Sequence, residues 1–149
     1  MRKILFRGQT RRYGEKVRMG DGAKIPSNWV YGGVLQGIGD HSIIYGGENA
    51  NDPSEGLNKR CVYTDTLGQF TGLTDKNGKR IFEGDIVSSD IVRPYLIVEF
   101  RNGCFMFNCN DGGEDYYDIM LPILQETQTV YQYGEVIGNI HDNPELIKK

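Results

Sequence analysis

The sequence predicts a mainly β protein with at most short helices. Twenty of its 149 residues are glycine, about twice the usual share. They fall singly or in pairs between short apolar runs, where the turns and bulges of a sheet need a positive φ. Those runs are rich in β-branched and aromatic residues, which is typical of strands. The composition, 38% hydrophobic and 25% charged, is that of a globular protein rather than a disordered one.

The N-terminal part predicts short strands joined by glycine-containing loops. Apolar runs indicate strands at residues 4–7, 29–31, 34–38 and 42–45, and the last two have the spacing of a hairpin. Residues 46–56 form a Gly- and Asn-rich loop signal. It predicts a boundary between an N-terminal β-rich lobe, 1–56, and a second part, 57–149, although the two could form one continuous domain.

Three turn signals organise the second part. Asp75-Lys76-Asn77-Gly78 predicts a tight turn, since Asn-Gly tolerates positive φ. Glu83-Gly84-Asp85 predicts another, with the Asp85 carboxylate placed to accept hydrogen bonds from backbone amides. Arg101-Asn102-Gly103 separates two β-type runs at 95–100 and 104–107, which predicts a hairpin.

The C-terminal end predicts two more strands, 129–133 and 135–140, and a closing turn of helix. Asn143 is placed as its N-cap and Pro144 at the first helical position. The other candidate helix lies at 121–128, where Pro122 limits it to starting there.

Charge is unevenly distributed along the chain. The net charge is −3, yet the first 24 residues carry eight basic and two acidic groups, which leaves +6. Such asymmetry can mark a nucleic-acid-binding segment, whose candidate residues are Arg2, Arg7, Arg11 and Arg12. The favoured alternative is a basic edge strand packed within the domain, because the basic residues alternate with Ile4, Phe6 and Tyr13 as in a half-buried strand.

No cofactor or metal is expected. The phosphate-binding glycine motifs are absent from the sequence, and Cys104 and Cys109 have no histidine near them at zinc-ligand spacing. His41 and His141 are interpreted as surface or turn residues. Cys61 could be a nucleophile, but a lone cysteine before Val62 is more often a small core residue.

The remaining clusters have ordinary explanations. The acidic stretch at 111–118 could bind Ca²⁺ or supply paired carboxylates, but it lacks EF-hand spacing and is interpreted as a solvated loop. The aromatic pairs Trp29/Tyr31 and Tyr116/Tyr117 could stack on nucleic-acid bases. Packing within a core or over a sheet face is favoured for them.

Cysteine usage and hydropathy indicate the compartment. Three cysteines make an odd number, so reduced thiols rather than a disulfide framework are expected. Arg7 ends the first apolar run too early for a signal peptide, and no run is long enough to span a bilayer. A cytoplasmic protein with no membrane contact is therefore expected; a homo-oligomer through exposed strand edges is possible.

Three segments carry a resemblance to a known family: residues 2–7, 69–87 (QFTGLTDKNGKRIFEGDIV) and 135–146 (EVIGNIHDNPEL). They resemble, in order, those of the YopX family of phage and prophage proteins. The resemblance implies a small SH3-like β-barrel built from about Phe70 onward, with a phage or prophage origin in a bacterial host. It implies no activity, cofactor or catalytic residue, and fold alone is a weak guide to function.

Three functional hypotheses remain open. The first is a non-enzymatic binding or adaptor module that acts on a host or phage protein through its barrel faces and the 46–56 loop. The second is a nucleic-acid-binding protein that uses the basic N-terminal segment. The third is an enzyme of unknown class, which would need carboxylates gathered around Cys61 or a histidine.

Overall fold

The computed structural model describes residues 4–11, 28–46, 59–89, 96–108, 117–119, 123–125, 128–130 and 134–147. Within these residues the chain is mainly β, as predicted, and contains no α-helix. It forms two compact units, Lys3–Gln69 and Phe70–Lys149 with Met1–Arg2. The predicted boundary after residue 56 lies outside the described residues; the two units divide between Gln69 and Phe70, within a strand.

The first unit is an antiparallel meander. Its elements are β1 (Phe6–Arg11), β2 (Asn28–Leu35), β3 (His41–Tyr45), β4 (Lys59–Tyr63), a 3-10 helix (Thr64–Thr66) and the beginning of β5 (Gly68–Thr74). Each of the first four strands pairs with the next or the previous one only, except that β1 also pairs with Gly68 and Gln69. The expected hairpin at 34–45 is confirmed as β2 and β3.

The four strands curl around a small core. Ile44 and Val62 are each 1% exposed. Gly8 in β1 lies so close to Val62 in β4 that an added Cβ would come within 2.9 Å of the valine Cγ2. Since β1 and β4 are not paired, this approach shows that the sheet bends until its two ends face each other across the interior.

The second unit contains the remaining strands. They are the end of β5, β6 (Arg80–Phe82), β7 (Asp85–Ser89), β8 (Leu96–Arg101), β9 (Cys104–Asn108), β10 (Tyr117–Ile119), β11 (Ile123–Gln125), β12 (Gln128–Val130) and β13 (Gly134–Asn139), followed by a 3-10 helix at Pro144–Leu146. Five of them form an antiparallel sheet in the order β10-β9-β8-β7-β13. The hydrophobic core of the second unit contains Ile81, Val87, Val98, Phe107 and Val136.

No closed barrel is found among the described strands. Closure requires the two outer strands of a sheet to pair with each other, whereas β10 pairs only with β9 and β13 only with β7. The SH3-like barrel implied by the family resemblance is therefore replaced, in the described residues, by sheets with open edges.

Some local expectations were wrong. The strands β11 and β12 pair where a helix was expected at 121–128, because strand pairing overrides a weak helical propensity. Asn143 is the N-cap residue and Pro144 begins the short closing helix, as predicted, but the Asn143 side chain makes no cap bond; its Oδ1 instead accepts the N–H of Asn139 at 3.2 Å. β1 is not an edge strand, since it pairs on both sides.

The predicted turns are confirmed. Gly78 and Gly84 have φ of 81° and 90°. The β8–β9 hairpin turns on Asn102 and Gly103, both with positive φ, as expected for a two-residue hairpin loop. Among the described residues, no helix is long and apolar enough to cross a membrane.

Candidate functional site

The side of the β1–β4 sheet opposite its core is the candidate site, and we call it the outer face. Residues directly opposite each other on paired strands lie on the same face, so the register defines its members. They are Arg7, Gln9, Trp29, Tyr31, Gly33, Leu35, His41, Ile43, Tyr45, Lys59, Cys61 and Tyr63. The inner face carries the buried Ser42, Ile44 and Val62.

Two exposed tyrosines form the centre of the outer face. Tyr31 is 39% and Tyr45 45% exposed. The Tyr45 ring lies across Gly33 on the neighbouring strand, where an added Cβ would be 2.8 Å from the ring Cζ. Glycine at this position therefore lets the ring lie against the sheet with one side toward solvent. An amphipathic ring held in this way is typical of binding surfaces.

A cation–π pair lies at the β1 side of the face. The Arg7 guanidinium stands over the Trp29 ring, 4.5 Å from its centroid, and Arg7 is 6% exposed. The contact fixes the indole and buries most of the arginine, which still contributes its positive charge to the local field.

The opposite end of the strands carries a histidine. The His41 and Tyr63 rings contact each other in a tilted arrangement, with centroids 4.9 Å apart and planes at 39°. His41 Nδ1 also lies 3.2 Å from Asp40 Oδ1, and both side chains are substantially exposed. The His41 and Asp40 side chains thus face solvent. Their electrostatic interaction is not strengthened by exclusion of water, as it is in a closed active site.

The loop between β2 and β3, residues 36–40, extends this end with aliphatic surface. Leu35 is 62% exposed and Ile38 is fully exposed. The loop is held in place by a polar network: Gly37 N–H donates to Ser42 Oγ at 3.0 Å, and Ser42 Oγ lies 2.7 Å from Thr64 Oγ1.

A backbone bond closes the network, because the Thr64 N–H donates to the Asp40 carbonyl at 2.8 Å. Gly37 also fits where a side chain could not, since an added Cβ would overlap the His41 carbonyl oxygen. The exposed isoleucine is therefore presented by a preorganised loop, which lowers the entropy cost of a contact made there.

The charge of the sheet has one sign. Strands β1–β4 contain Arg7, Arg11, Lys59 and Arg60 and no aspartate or glutamate. The nearest acidic residues in the described part of the unit, Asp40 and Asp65, lie in the β2–β3 loop and the 3-10 helix. Arg60 lies opposite Ile44 on the inner side of the sheet, whereas Lys59 lies opposite Tyr45 on the outer face. The outer face therefore carries an exposed lysine beside its tyrosines and aliphatic side chains at the loop end.

The predicted site residues are only partly brought together. Arg7 is buried against Trp29, and Arg11 is half-buried at the end of β1. Arg2 and Arg12 lie outside the described residues, as do the acidic stretch 111–116, Cys109 and all but Gly46 of the 46–56 loop.

One interpretation of a single residue was wrong, because Cys61 is exposed on the outer face rather than a core residue. Tyr31 lies over a sheet face, which is one of the two placements expected for it, and is 39% exposed. The signal that could have found the face is the alternation of Trp29, Tyr31, Gly33 and Leu35 along β2. His41 and His141 lie at the surface and in a turn, as expected.

Two of the three segments that carry the family resemblance, 69–87 and 135–146, contain hydrogen-bonded turns of the second unit. The buried Asp75 carboxylate accepts the N–H groups of Asn77, Lys79 and Val136, all at 2.9 Å. The buried Asp85 accepts the N–H of Phe82 at 2.7 Å, as predicted. These acidic residues therefore have structural partners.

The turn after β13 is also held by a side chain that accepts hydrogen bonds from backbone N–H groups. Asn139 Oδ1 accepts the N–H groups of His141 and Asp142, at 3.0 and 2.9 Å. Its Nδ2 donates to Asp142 Oδ2 at 3.1 Å. The most recognisable residues of the sequence thus stabilise turns by bonding to the backbone.

Comparison with known proteins places the chain in a family. No curated protein matches it. Among solved structures it is similar to the crystal structure of protein EF1440 from Enterococcus faecalis, with 21% identity over 98% of this chain and 99% of that chain and a TM-score of 0.43. The family model described as YopX protein matches residues 24–148. The chain therefore belongs to the YopX protein family.

Proposed function

We propose that this protein is a non-enzymatic binding module that recognises a host or phage protein through the outer face. The observation that carries the proposal is the exposure of Tyr31 and Tyr45 on a sheet face whose other side is the core of the unit. Tyrosine provides large contact area at a small cost in conformational entropy, and it is enriched in protein interfaces.

The surroundings of the tyrosines support a protein partner. Leu35 and Ile38 add exposed aliphatic surface at one end of the face, and such side chains bury apolar area against another protein. Because the loop and the Tyr45 ring are both held in place, few groups must become ordered on binding.

A basic N-terminal segment for nucleic acid has weaker support. Of its four candidate arginines, Arg7 is 6% exposed and stacks on Trp29, so its guanidinium is largely withdrawn from a phosphate backbone. Nucleic acid therefore enters the test below as the competing result.

The test compares three tagged proteins in affinity capture from a bacterial host lysate, run with and without nuclease treatment. They are the wild type, Y31A/Y45A, and F100A, with retained proteins identified by mass spectrometry. Phe100 is the matched control because it is an exposed aromatic residue, 52% accessible, in the other unit. Circular dichroism and urea unfolding check that each variant is folded.

The expected result is one or a few proteins retained by the wild type and by F100A and lost with Y31A/Y45A. Material that disappears on nuclease treatment would instead favour nucleic acid. Equal retention by all three proteins would remove the outer face as the binding surface.

A further inference from the structure

Two Asn-Gly pairs lie at turns of the second unit, and their local sequences are closely matched. Asn77-Gly78 belongs to the turn after β5, and Asn102-Gly103 joins β8 to β9. Each pair follows a basic residue, and all four residues are exposed. An added Cβ would meet no atom within 4 Å at either glycine. The two pairs therefore differ chiefly in how the backbone of each turn is held.

An asparagine that precedes a glycine can lose its side-chain amide without an enzyme. The glycine backbone nitrogen attacks the asparagine Cγ and gives up its proton to a base, while the side-chain nitrogen takes up a proton and leaves as ammonia. The product is a five-membered succinimide. Water then adds to one of its two carbonyls and gives aspartate or isoaspartate, with no change of oxidation state. Because the attack is intramolecular, its rate depends on how freely the backbone nitrogen can reach Cγ.

Hydrogen bonds restrain the attacking nitrogen in the turn after β5. The Gly78 N–H donates to the Asp75 carbonyl at 3.0 Å. The Asn77 and Lys79 N–H groups both donate to Asp75 Oδ1 at 2.9 Å, and the Asp75 N–H donates to the Lys79 carbonyl at 2.8 Å. Asp75 is itself 1% exposed. Attack on Asn77 therefore requires several of these bonds to break together.

The β8–β9 hairpin restrains its glycine less. The two strands pair as far as Arg101 and Cys104, and among the described residues no acceptor is found for the Gly103 N–H. Asn102 has a φ of 51° and is the one described residue other than glycine with a positive φ. This left-handed conformation is less favourable than the right-handed one for a residue with a side chain. The two-residue tip therefore rearranges at a smaller cost than the turn held by Asp75.

We propose that Asn102 is a site of spontaneous deamidation in the folded protein, and that Asn77 is protected by its turn. The Gly103 nitrogen attacks Asn102 Cγ, ammonia leaves, and hydrolysis of the succinimide gives isoaspartate and aspartate at position 102. The product places a negative charge on an exposed hairpin beside Arg101, which forms an ion pair with Glu99 at 3.0 Å. This modification does not depend on the proposed binding function, because the hairpin and the outer face belong to different units.

The test follows the wild type over time in a mildly alkaline buffer, both folded and unfolded in guanidinium chloride. Peptide mapping by mass spectrometry, after digestion at mildly acidic pH, measures the deamidated fraction at each asparagine and separates aspartate from isoaspartate. Ion-exchange chromatography of the intact protein measures the added negative charge. Two variants assign that charge: N102G removes the reactive amide and tolerates the positive φ, and N77A is the matched control. Circular dichroism checks that both variants are folded.

In the folded protein we expect Asn102 to deamidate about tenfold faster than Asn77, equal to about 1.4 kcal/mol in activation free energy. One or two hydrogen bonds contribute a difference of this size. In guanidinium chloride the two rates should agree within about twofold, because unfolding removes the bonds that distinguish the turns. The acidic form of the intact protein should be absent in N102G and present in N77A.

Four results would overturn the inference. Equal rates in the folded protein, or faster deamidation of Asn77, would show that the bonded turn gives no protection. A difference of the same size in guanidinium chloride would assign it to local sequence rather than to the fold. Aspartate without isoaspartate would refute attack by the Gly103 nitrogen. Deamidation of Asn102 only after unfolding would show that the hairpin protects this residue as well.

Discussion

Asp75 Oδ2 accepts the backbone N–H of Val136 at 2.9 Å and so connects the turn after β5 to a strand 61 residues further along the chain. The same carboxylate binds the turn through its other oxygen. Asp75 is 1% exposed. A buried carboxylate with three N–H donors is well stabilised, and its loss leaves those donors without an acceptor.

Replacing Asp75 with alanine should therefore destabilise the second unit. We expect D75A to lower the free energy of unfolding by about 3 kcal/mol, since three amides lose their acceptor. Urea unfolding monitored by circular dichroism measures it. E145A is the control, because Glu145 is exposed at the C-terminal end and should change stability by less than about 0.5 kcal/mol. Equal stability of D75A and the wild type would refute this role.

Gly138 should not tolerate a methyl group. Its added Cβ would lie 2.4 Å from Asn143 Oδ1, and that oxygen is held by the Asn139 N–H. We expect G138A to cost about 2 kcal/mol of stability through overpacking. N143A removes both the clash and the hydrogen bond, so the double variant should lose less than the sum of the single variants. Strict additivity in urea unfolding would contradict the contact.

The loop that presents Ile38 should depend on Ser42. Ser42 is 1% exposed, and its hydroxyl bonds Gly37 N–H and Thr64 Oγ1. S42A should reduce stability by about 1 to 2 kcal/mol because buried polar groups lose their partner. Hydrogen exchange of the Gly37 amide should accelerate more than that of the Ile44 amide, which lies within β3. Unchanged exchange at Gly37 would show that the loop is held by other contacts.

Gly33 should control the orientation of Tyr45. In G33A the new methyl group would displace the ring, which is the far end of a flexible side chain. We therefore expect a stability loss below about 1 kcal/mol together with reduced capture of the partner. NMR chemical shifts of the Tyr45 ring should move, while those of Phe100 should not. Full binding by G33A would show that the ring position is unimportant for recognition.

The thiols should differ in accessibility. Cys61 is exposed on β4 and Cys104 is half-buried at the start of β9. A maleimide added to the native protein should therefore label Cys61 before Cys104, since access limits the reaction of a thiol. Peptide mapping by mass spectrometry at successive times measures the order. Faster labelling of Cys104 would contradict the burial of the two residues.

The parts of the fold that the sequence predicted are those set by local chemistry. Asn102-Gly103 and Asp75-Lys76-Asn77-Gly78 form the expected turns because Gly, and to a lesser extent Asn, tolerates positive φ. Residues 121–128 were predicted wrongly because short segments have ambiguous propensity. There the pairing of Ile123 with Val130 decides the structure.

The candidate site was less accessible to prediction. Arg7 belongs to a run of basic residues that suggests a nucleic-acid-binding segment, and the stacking on Trp29 that buries it joins two strands. Tyr31 and Tyr45 are far apart in sequence and share a face only because β2 and β3 pair in one register. A shift of one residue would have turned either side chain toward the core.

By itself, the sequence determined the β class, the positions of the tight turns and the resemblance to the YopX family. Each of these depends on residue types within a few positions of one another. Only the tertiary structure decided that Asp75 bonds Val136, that Arg7 is buried and Cys61 exposed, and that aromatic, cationic and aliphatic side chains share one face. Those properties depend on strand register and sheet curvature, which long-range packing sets and local sequence does not specify.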